Sequence, residues 1–229
     1  MTEREKILGR IREALTVKAP MPGHHGHTKA HAPAGQPPSS RAGEWLPATG
    51  DSFESQLASF RENCATLKAD FHLVNNRDEL AKLLVELRDT EGWKKVGSHR
   101  GELTDFATSA VGLPVLKTDA AYDVNELEAC SVGISECDAL VAQTGSVLVT
   151  NRSAGGRALS VLPPHHMVIA RREQLLRDLP MAFQLIKQKY GANYPSMISF
   201  ITGPSRTGDI ERILVLGAHG PKKLTIFLI

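Results

Sequence analysis

The chain has 229 residues, 41% of them hydrophobic and 23% charged, enough apolar material for one large domain with a tail and too much for a collagen-like or disordered chain. Its 27 Lys and Arg stand against 25 Asp and Glu, a formal charge of +2. That balance offers no strong field for nucleic acid or anionic lipid, so DNA binding would need a local patch, and no apolar run approaches the roughly 18 residues of a membrane span.

The charged opening Met1-Thr-Glu-Arg-Glu-Lys6 lacks a secretory apolar core, which predicts a cytoplasmic protein. Cys64, Cys130 and Cys137 form no CxxC pattern. They read as buried free thiols, and no metal or iron–sulfur site is expected from this chain alone.

Thr2 and Glu5 have the spacing of a capping box, and Ile7, Leu8, Ile11, Ala14 and Leu15 share one face of the ensuing helix. An amphipathic helix is therefore predicted over residues 1–19. Between Pro20 and Glu44 five of 25 residues are Pro and four are Gly, the composition of a flexible linker. Its His24, His25, His27 and His31 are compatible with weak metal capture or simply with a polar mobile segment. Residues 45–229 read as the folded domain.

In that domain Phe53, Leu57, Phe60, Cys64 and Leu67 repeat at helical spacing, and Asp70–Val74 reads as a strand. A helix from Arg77 to Thr90 is capped by Asn75 or Asn76. Strands at Lys95–Ser98 and Pro114–Lys117 flank a helix near Glu102–Ala110. This succession implies an open, mostly parallel α/β sheet with helices on both faces. Ala139–Thr144 and Ser146–Thr150 meet at Gly145 in a tight turn. A strand at His166–Ala170 precedes a long helix, Glu173–Tyr190, whose buried side is Leu175, Leu176, Leu179, Phe183 and Ile186; Pro180 predicts a kink or a restart in it. Ser196–Thr202, Ile213–Leu216 and Leu224–Leu228 are expected to finish the sheet.

Three segments are candidates for chemistry. Gly203-Pro-Ser-Arg-Thr-Gly-Asp-Ile-Glu211 comes directly after a strand, and a Gly-led turn at the carboxyl end of a strand lets amides approach an anion. Arg206 supplies a fork for phosphate or carboxylate, with Ser205 and Thr207 as hydroxyl donors. The same segment also reads as a capped turn in which Arg206 pairs with Asp209 or Glu211. Gly217-Ala-His-Gly-Pro221 carries His219, an acid, base or oxyanion donor near neutrality, or a plain turn hydrogen-bonder. Gln143-Thr-Gly-Ser146 either lines the same cleft or is a hairpin without a ligand. The ligand-binding candidates are Thr144, Gly145, Ser146, Gly203, Pro204, Ser205, Arg206, Thr207, Glu211 and Gly220, and the catalytic candidates are His219 and Asp209.

Together with Asp138, Pro164 and His166, these segments resemble the lactate-utilisation LutC/YkgG family, the LUD domain. The signs are Ile7-Leu-Gly-Arg-Ile-Arg-Glu-Ala-Leu15, Gly133-Ile-Ser-Glu-Cys-Asp138, Ala142-Gln-Thr-Gly-Ser146, Leu159-Ser-Val-Leu-Pro-Pro-His-His166 and the Thr202–Glu211 and Gly217–Pro221 segments. The resemblance implies a fold like the NagB/RpiA/CoA-transferase group and a part in oxidising L-lactate to pyruvate beside two iron–sulfur partner proteins, which carry the clusters. Related members often have Glu in an Ala-Glu-Thr-Gly-Thr run where Gln143 stands. An amide cannot form an acyl–glutamate or act as a general base, which argues against a covalent mechanism at this position; Glu136, seven residues earlier, is too distant in sequence to be taken as its replacement.

Two functions fit these expectations. One is an auxiliary subunit that binds a small anion while its N-terminal helix docks a partner. The other is a stand-alone enzyme acting on a phosphorylated sugar, CoA ester or folate-like anion, using Arg206 for the anion and His219 or Asp209 for proton transfer. A ligand-dependent regulator is a further possibility. Domains of this class often self-associate, so a homo-oligomer is compatible with either.

Overall fold

A computed structural model describes residues 5, 6, 8, 9, 13, 16, 47–210, 213–216 and 220–229, with backbone alone at 206–210 and 213–216. Chain contacts separate two units, Met1–Arg41 and Ala42–Ile229. In the first, the described residues are helical; the rest of the predicted helix and the His-bearing linker lie outside the described residues.

The second unit runs α1 (Phe53–Leu67), β1 (Asp70–Leu73), α2 (Arg77–Glu91), β2 (Val96–Ser98), α3 (Glu102–Val111), β3 (Val115–Lys117), α4 (Val124–Glu128) and β4 (Val132–Ser135). Then come β5 (Ala139–Val141), β6 (Ser146–Thr150), β7 (His165–Ala170), a 3-10 turn (Arg172–Gln174), β8 (Leu175–Leu176) and α5 (Leu179–Tyr190). β9 (Ile198–Ile201), β10 (Arg206–Ile210), β11 (Ile213–Leu216) and β12 (Lys223–Leu228) close the chain.

The helix starts reflect capping chemistry. Ser52 accepts from the Ser55 amide at 3.2 Å, and Asn76, one of the two residues predicted to cap α2, accepts from the Glu79 amide at 2.9 Å. Each satisfies an amide that has no partner within its helix.

Six strands form a wholly parallel sheet in the order β1-β12-β7-β4-β2-β3. Alternation along these strands sends Met167, Ile169 and Phe227 to a core shared with Leu80 and Leu84 of α2 and Leu103 and Ala107 of α3. The opposite side of β7 and β12, with Val168, Ala170, Ile226 and Leu228, packs on Phe60 and Cys64 of α1 and on Leu140, Val147 and Val149 of a second sheet. At the β2 end of that face, Leu127 of α4 packs with Cys130 and Leu159. Helices thus lie on both faces, as predicted.

The last strands do not all join the parallel sheet. β9 pairs antiparallel with β6 in a separate four-stranded sheet, β8-β5-β6-β9, and β10 with β11 forms a two-stranded hairpin. Leu148 on the outer face of the four-stranded sheet packs on Ala182 and Ile186 of α5, so this sheet is sandwiched between the parallel sheet and α5.

The long helix predicted over Glu173–Tyr190 is also corrected. Leu175 and Leu176 are a short strand paired parallel with Leu140 and Val141, and the helix starts at Leu179 with Pro180 in its first turn and Asp178 accepting from the Met181 amide at 3.0 Å. A proline is compatible with that position because the first-turn amides have no helical partner. Phe183, expected on the buried side, is 58% exposed.

Between β6 and β7 the chain packs closely over β4. A Cβ at Gly133 of β4 would lie 2.6 Å from the Leu159 carbonyl oxygen and 3.0 Å from Pro163, so only glycine lets this connection rest on the strand.

Candidate functional site

The three Gly-containing segments come together. Gly145 turns β5 into β6 with φ +65°, and Asn63 of α1 secures the turn by donating to the carbonyls of Ala142 and Gln143 at 2.8 and 3.2 Å. Ser146 donates to Thr144 at 2.8 Å and shares a second 2.8 Å hydrogen bond with Thr202, the residue before Gly203. The Ser205 amide then donates to the Pro221 carbonyl at 2.9 Å, and Gly220 packs on Ser205. The hairpin β10–β11 grows from this base.

Beneath the two turns is a cavity of about 20 Å³ lined by Ser160, His166, Ile201, Gly203, Pro204, Ser205, Pro221 and Leu224. His166 is 1% exposed. Its Nε2 is 2.9 Å from Ser135 Oγ, and its Nδ1 has no hydrogen-bond partner. Desolvation pushes the imidazole down to about 3, so the ring is neutral at physiological pH.

Of the candidate residues, the structure brings together Thr144, Gly145, Ser146, Gly203, Pro204, Ser205 and Gly220. Arg206, Thr207 and Asp209 lie on β10, whose backbone alone is described. Glu211 and His219 lie outside the described residues.

The location differs from expectation. β9 belongs to the antiparallel sheet, so the turn after it lies beside His166 and Leu224, near the amino ends of β7 and β12. At the carboxyl ends of the parallel strands, charge pairing instead knits the edge. Glu136 caps α3, accepting from the Leu103 and Thr104 amides at 2.9 and 3.4 Å. Arg171 is 3.8 Å from Glu136 and donates to Glu102 at 2.6 Å, and Arg77 also pairs with Glu102.

Two further buried polar clusters flank this framework. On the α2–α3 face, His165 Nδ1 is 2.9 Å from Glu91 and its Nε2 is 2.8 Å from Thr225. Trp93 donates to Glu91 at 2.9 Å and Lys223 at 2.8 Å. This hydroxyl–imidazole–carboxylate chain is built like a nucleophile triad, yet Thr225 is 1% exposed inside the sheet and no substrate reaches it. Desolvation lowers the pKa of His165, opposed by Glu91.

The other cluster centres on Asp138, whose Oδ1 accepts from Lys189 Nζ and Tyr190 OH at 2.6 Å each, with Tyr190 also 3.0 Å from Thr150. Desolvation pushes the Asp138 carboxyl up, but hydrogen bonds from Lys189, Ser153 and Tyr190 outweigh it and hold the group below its ordinary value. Asp138 was visible in sequence only as part of a family motif. An acidic residue between Cys137 and Ala139 was the signal that it is buried and paired.

Cys64, Cys130 and Cys137 are free and buried. Desolvation raises all three thiols, Cys64 to about 12, which suits neither a nucleophile nor a ready thiolate ligand. Among the described residues no group of three or more His, Cys, Asp or Glu side chains is placed to hold a metal ion. No helix among them is long and apolar enough to cross a membrane.

A six-stranded parallel sheet backed by a smaller sheet, with paired glycine turns over a buried histidine, defines the class structurally. The same fold occurs in the crystal structure of a DUF162 family protein from Deinococcus radiodurans, with a TM-score of 0.62 at 19% identity, covering 78% of this chain and 99% of that one. Residues 57–229 match the LUD domain model, and the chain belongs to the LUD domain family. It is 31% identical over 181 residues to lactate utilization protein C of Shouchella clausii, covering 76% of this chain and 79% of that protein. The protein of that name from Geobacillus thermodenitrificans is 26% identical over 207 residues, covering 85% and 86% of the two chains. The Bacillus subtilis protein is 33% identical over 123 residues, about half of each.

Proposed function

We propose that the chain is a lactate utilization protein C-like subunit that supports oxidation of L-lactate to pyruvate beside iron–sulfur partner proteins. The observation that carries this reading is the similarity to lactate utilization protein C across three quarters of the chain. In this reading the clusters and electron transfer belong to the partners. This chain contributes a small-anion site at the turns Thr144–Ser146, Gly203–Thr207 and Gly220–Pro221.

The chemistry of the turns fits binding better than covalent catalysis. They combine hydroxyls with glycine backbone, while His166 is held neutral. Gln143 donates its amide to the Pro47 carbonyl at 3.2 Å, and an amide offers no acyl–glutamate route. Deleting the gene and measuring growth on L-lactate as sole carbon source tests the role. Loss of growth that this chain restores supports it, and undiminished growth on L-lactate refutes it.

A further inference from the structure

We infer that the outer edge of β1, with the cationic stripe of α1 beside it, is a docking site for an acidic peptide segment that binds as an added strand. This is independent of the anion site proposed at the glycine turns.

β1 is an edge strand of the parallel sheet and pairs on one side only, with β12. The Val74 amide donates to the Leu228 carbonyl at 2.9 Å. In a parallel ladder the residues that bond a neighbour alternate with residues that point away from it. With Asp70 opposite Thr225 and Leu73 opposite Leu228, the residues in step with Val74, namely Asp70 and His72, bond β12, and Phe71 and Leu73 turn their N–H and C=O groups outward. Neither of these two has a backbone partner among the described residues. Both are only partly buried, and β1 itself carries none of the lysine, proline or bulge that blunts an unused edge. A donor and an acceptor recurring together at every second residue are matched by an extended polypeptide, whereas a free carboxylate offers acceptors alone.

The charge comes from α1. Arg61, Ala65 and Lys68 follow one another at i, i+4, i+7 spacing, and with Phe71 they line an open cavity of about 360 Å³. The Arg61 guanidinium is 5.9 Å from the Phe71 ring centroid, on the face of β1 where Phe71 also meets Phe60 edge-on. Arg61 and Lys68 are exposed, and neither pairs with a carboxylate among the described residues. Asp70, the acid on the rim, acts instead on His165 and Lys223. Lys68 ends α1 in the left-handed conformation with φ +61°, where α2 and α3 end in Gly92 and Gly112. A lysine there keeps a cation at the cavity at a conformational cost that glycine would avoid.

These features select a partner strand and not a second copy of this chain. Two copies joined at β1 about a two-fold axis would set each cationic stripe against the other. An acidic strand meets Arg61 and Lys68 with opposite charge while its backbone pairs with Phe71 and Leu73. Because alternate side chains of a strand share a face, acids at every second position are the pattern that brings charge to α1.

The test uses the ¹⁵N-labelled full chain and two acetylated probe peptides, one of three Glu-Val repeats and one of three Lys-Val repeats, with amide shifts and hydrogen exchange followed residue by residue. The Glu-Val peptide is expected to shift the Phe71 and Leu73 amides saturably and to slow their exchange by about tenfold or more, leaving Val74, already bonded to β12, unchanged; the Lys-Val peptide is expected to bind at least about tenfold more weakly. Arg61→Glu combined with Lys68→Glu should reverse the preference between the peptides at unchanged Tm, and should that pair not fold, either single substitution should narrow it. Phe71 and Leu73 amides unmoved by millimolar Glu-Val peptide overturn the inference, as does equal binding of the two peptides. Free glutamate reproducing the peptide's shifts would reveal a carboxylate site alone, and protection of the two amides that rises with protein concentration would reveal a second copy; either result overturns it as well.

Discussion

His165 and His166 are neighbours in β7 that point to opposite faces of the parallel sheet, as the two-residue period of a strand requires. His165 has both ring nitrogens bonded, to Glu91 and Thr225. His166 has one bonded to Ser135 and one without a hydrogen-bond partner. The first is a structural tie between α2, β7 and β12; the second lines the small cavity beneath the glycine turns.

Both histidines have folded pKa values below the ordinary 6.5, His166 at about 3. Between the folded and unfolded values the unfolded chain binds more protons, so stability is full above pH 6.5 and falls as the pH drops toward the folded values. Urea midpoints should decline from pH 6.5 to 4.5, with His166 contributing up to about 1.4 kcal/mol per pH unit. His166→Gln should flatten the slope. A level profile in wild type contradicts the buried, neutral assignment.

Asp138 joins the β4–β5 connection to the end of α5 through Lys189 and Tyr190. Asp138→Ala removes the acceptor both donors share, and a loss of about 3 kcal/mol is expected in denaturant unfolding. Lys189→Met should lose less, because half of that side chain faces solvent and the exposed end is screened. Equal and negligible losses would mean the cluster contributes nothing to stability.

Gly145 combines φ +65° with a close approach to α1, where an added Cβ would sit 2.7 Å from Asn63 Cβ and 3.0 Å from Leu67 Cδ1. Gly145→Ala is therefore expected to cost about 1–3 kcal/mol and to lower Tm by several degrees. An unchanged Tm contradicts this turn geometry.

The corrected α5 can be tested by a pair of substitutions. Ile186→Ala, in the core, should cost about 2 kcal/mol or more, while Phe183→Ser, at a position 58% exposed and touching Phe200, should cost under about 1 kcal/mol. The reverse order in thermal unfolding would restore the longer helix predicted from the pattern.

α1 and α2 were legible in the sequence because each has fifteen residues, an apolar period and a capping side chain. β4 was recognised only as a motif, since Val132–Ser135 is four residues with a glycine inside. Leu175–Leu176 was absorbed into the helical pattern of α5 because two apolar residues carry no period of their own. The gathering of the glycine turns was anticipated from shared motifs, but their place at the amino ends of β7 and β12 depends on β9 joining the second sheet, a non-local choice. The partners of Asp138 lie 51 and 52 residues downstream, and the unpartnered nitrogen of His166 is defined only by packing.

The most direct test of the proposed role is affinity purification of the tagged chain from its native cells grown on L-lactate, with iron and mass analysis of the recovered material. Co-purifying iron–sulfur proteins are the predicted result. Recovery of the chain alone, from cells that express those proteins, would contradict the account.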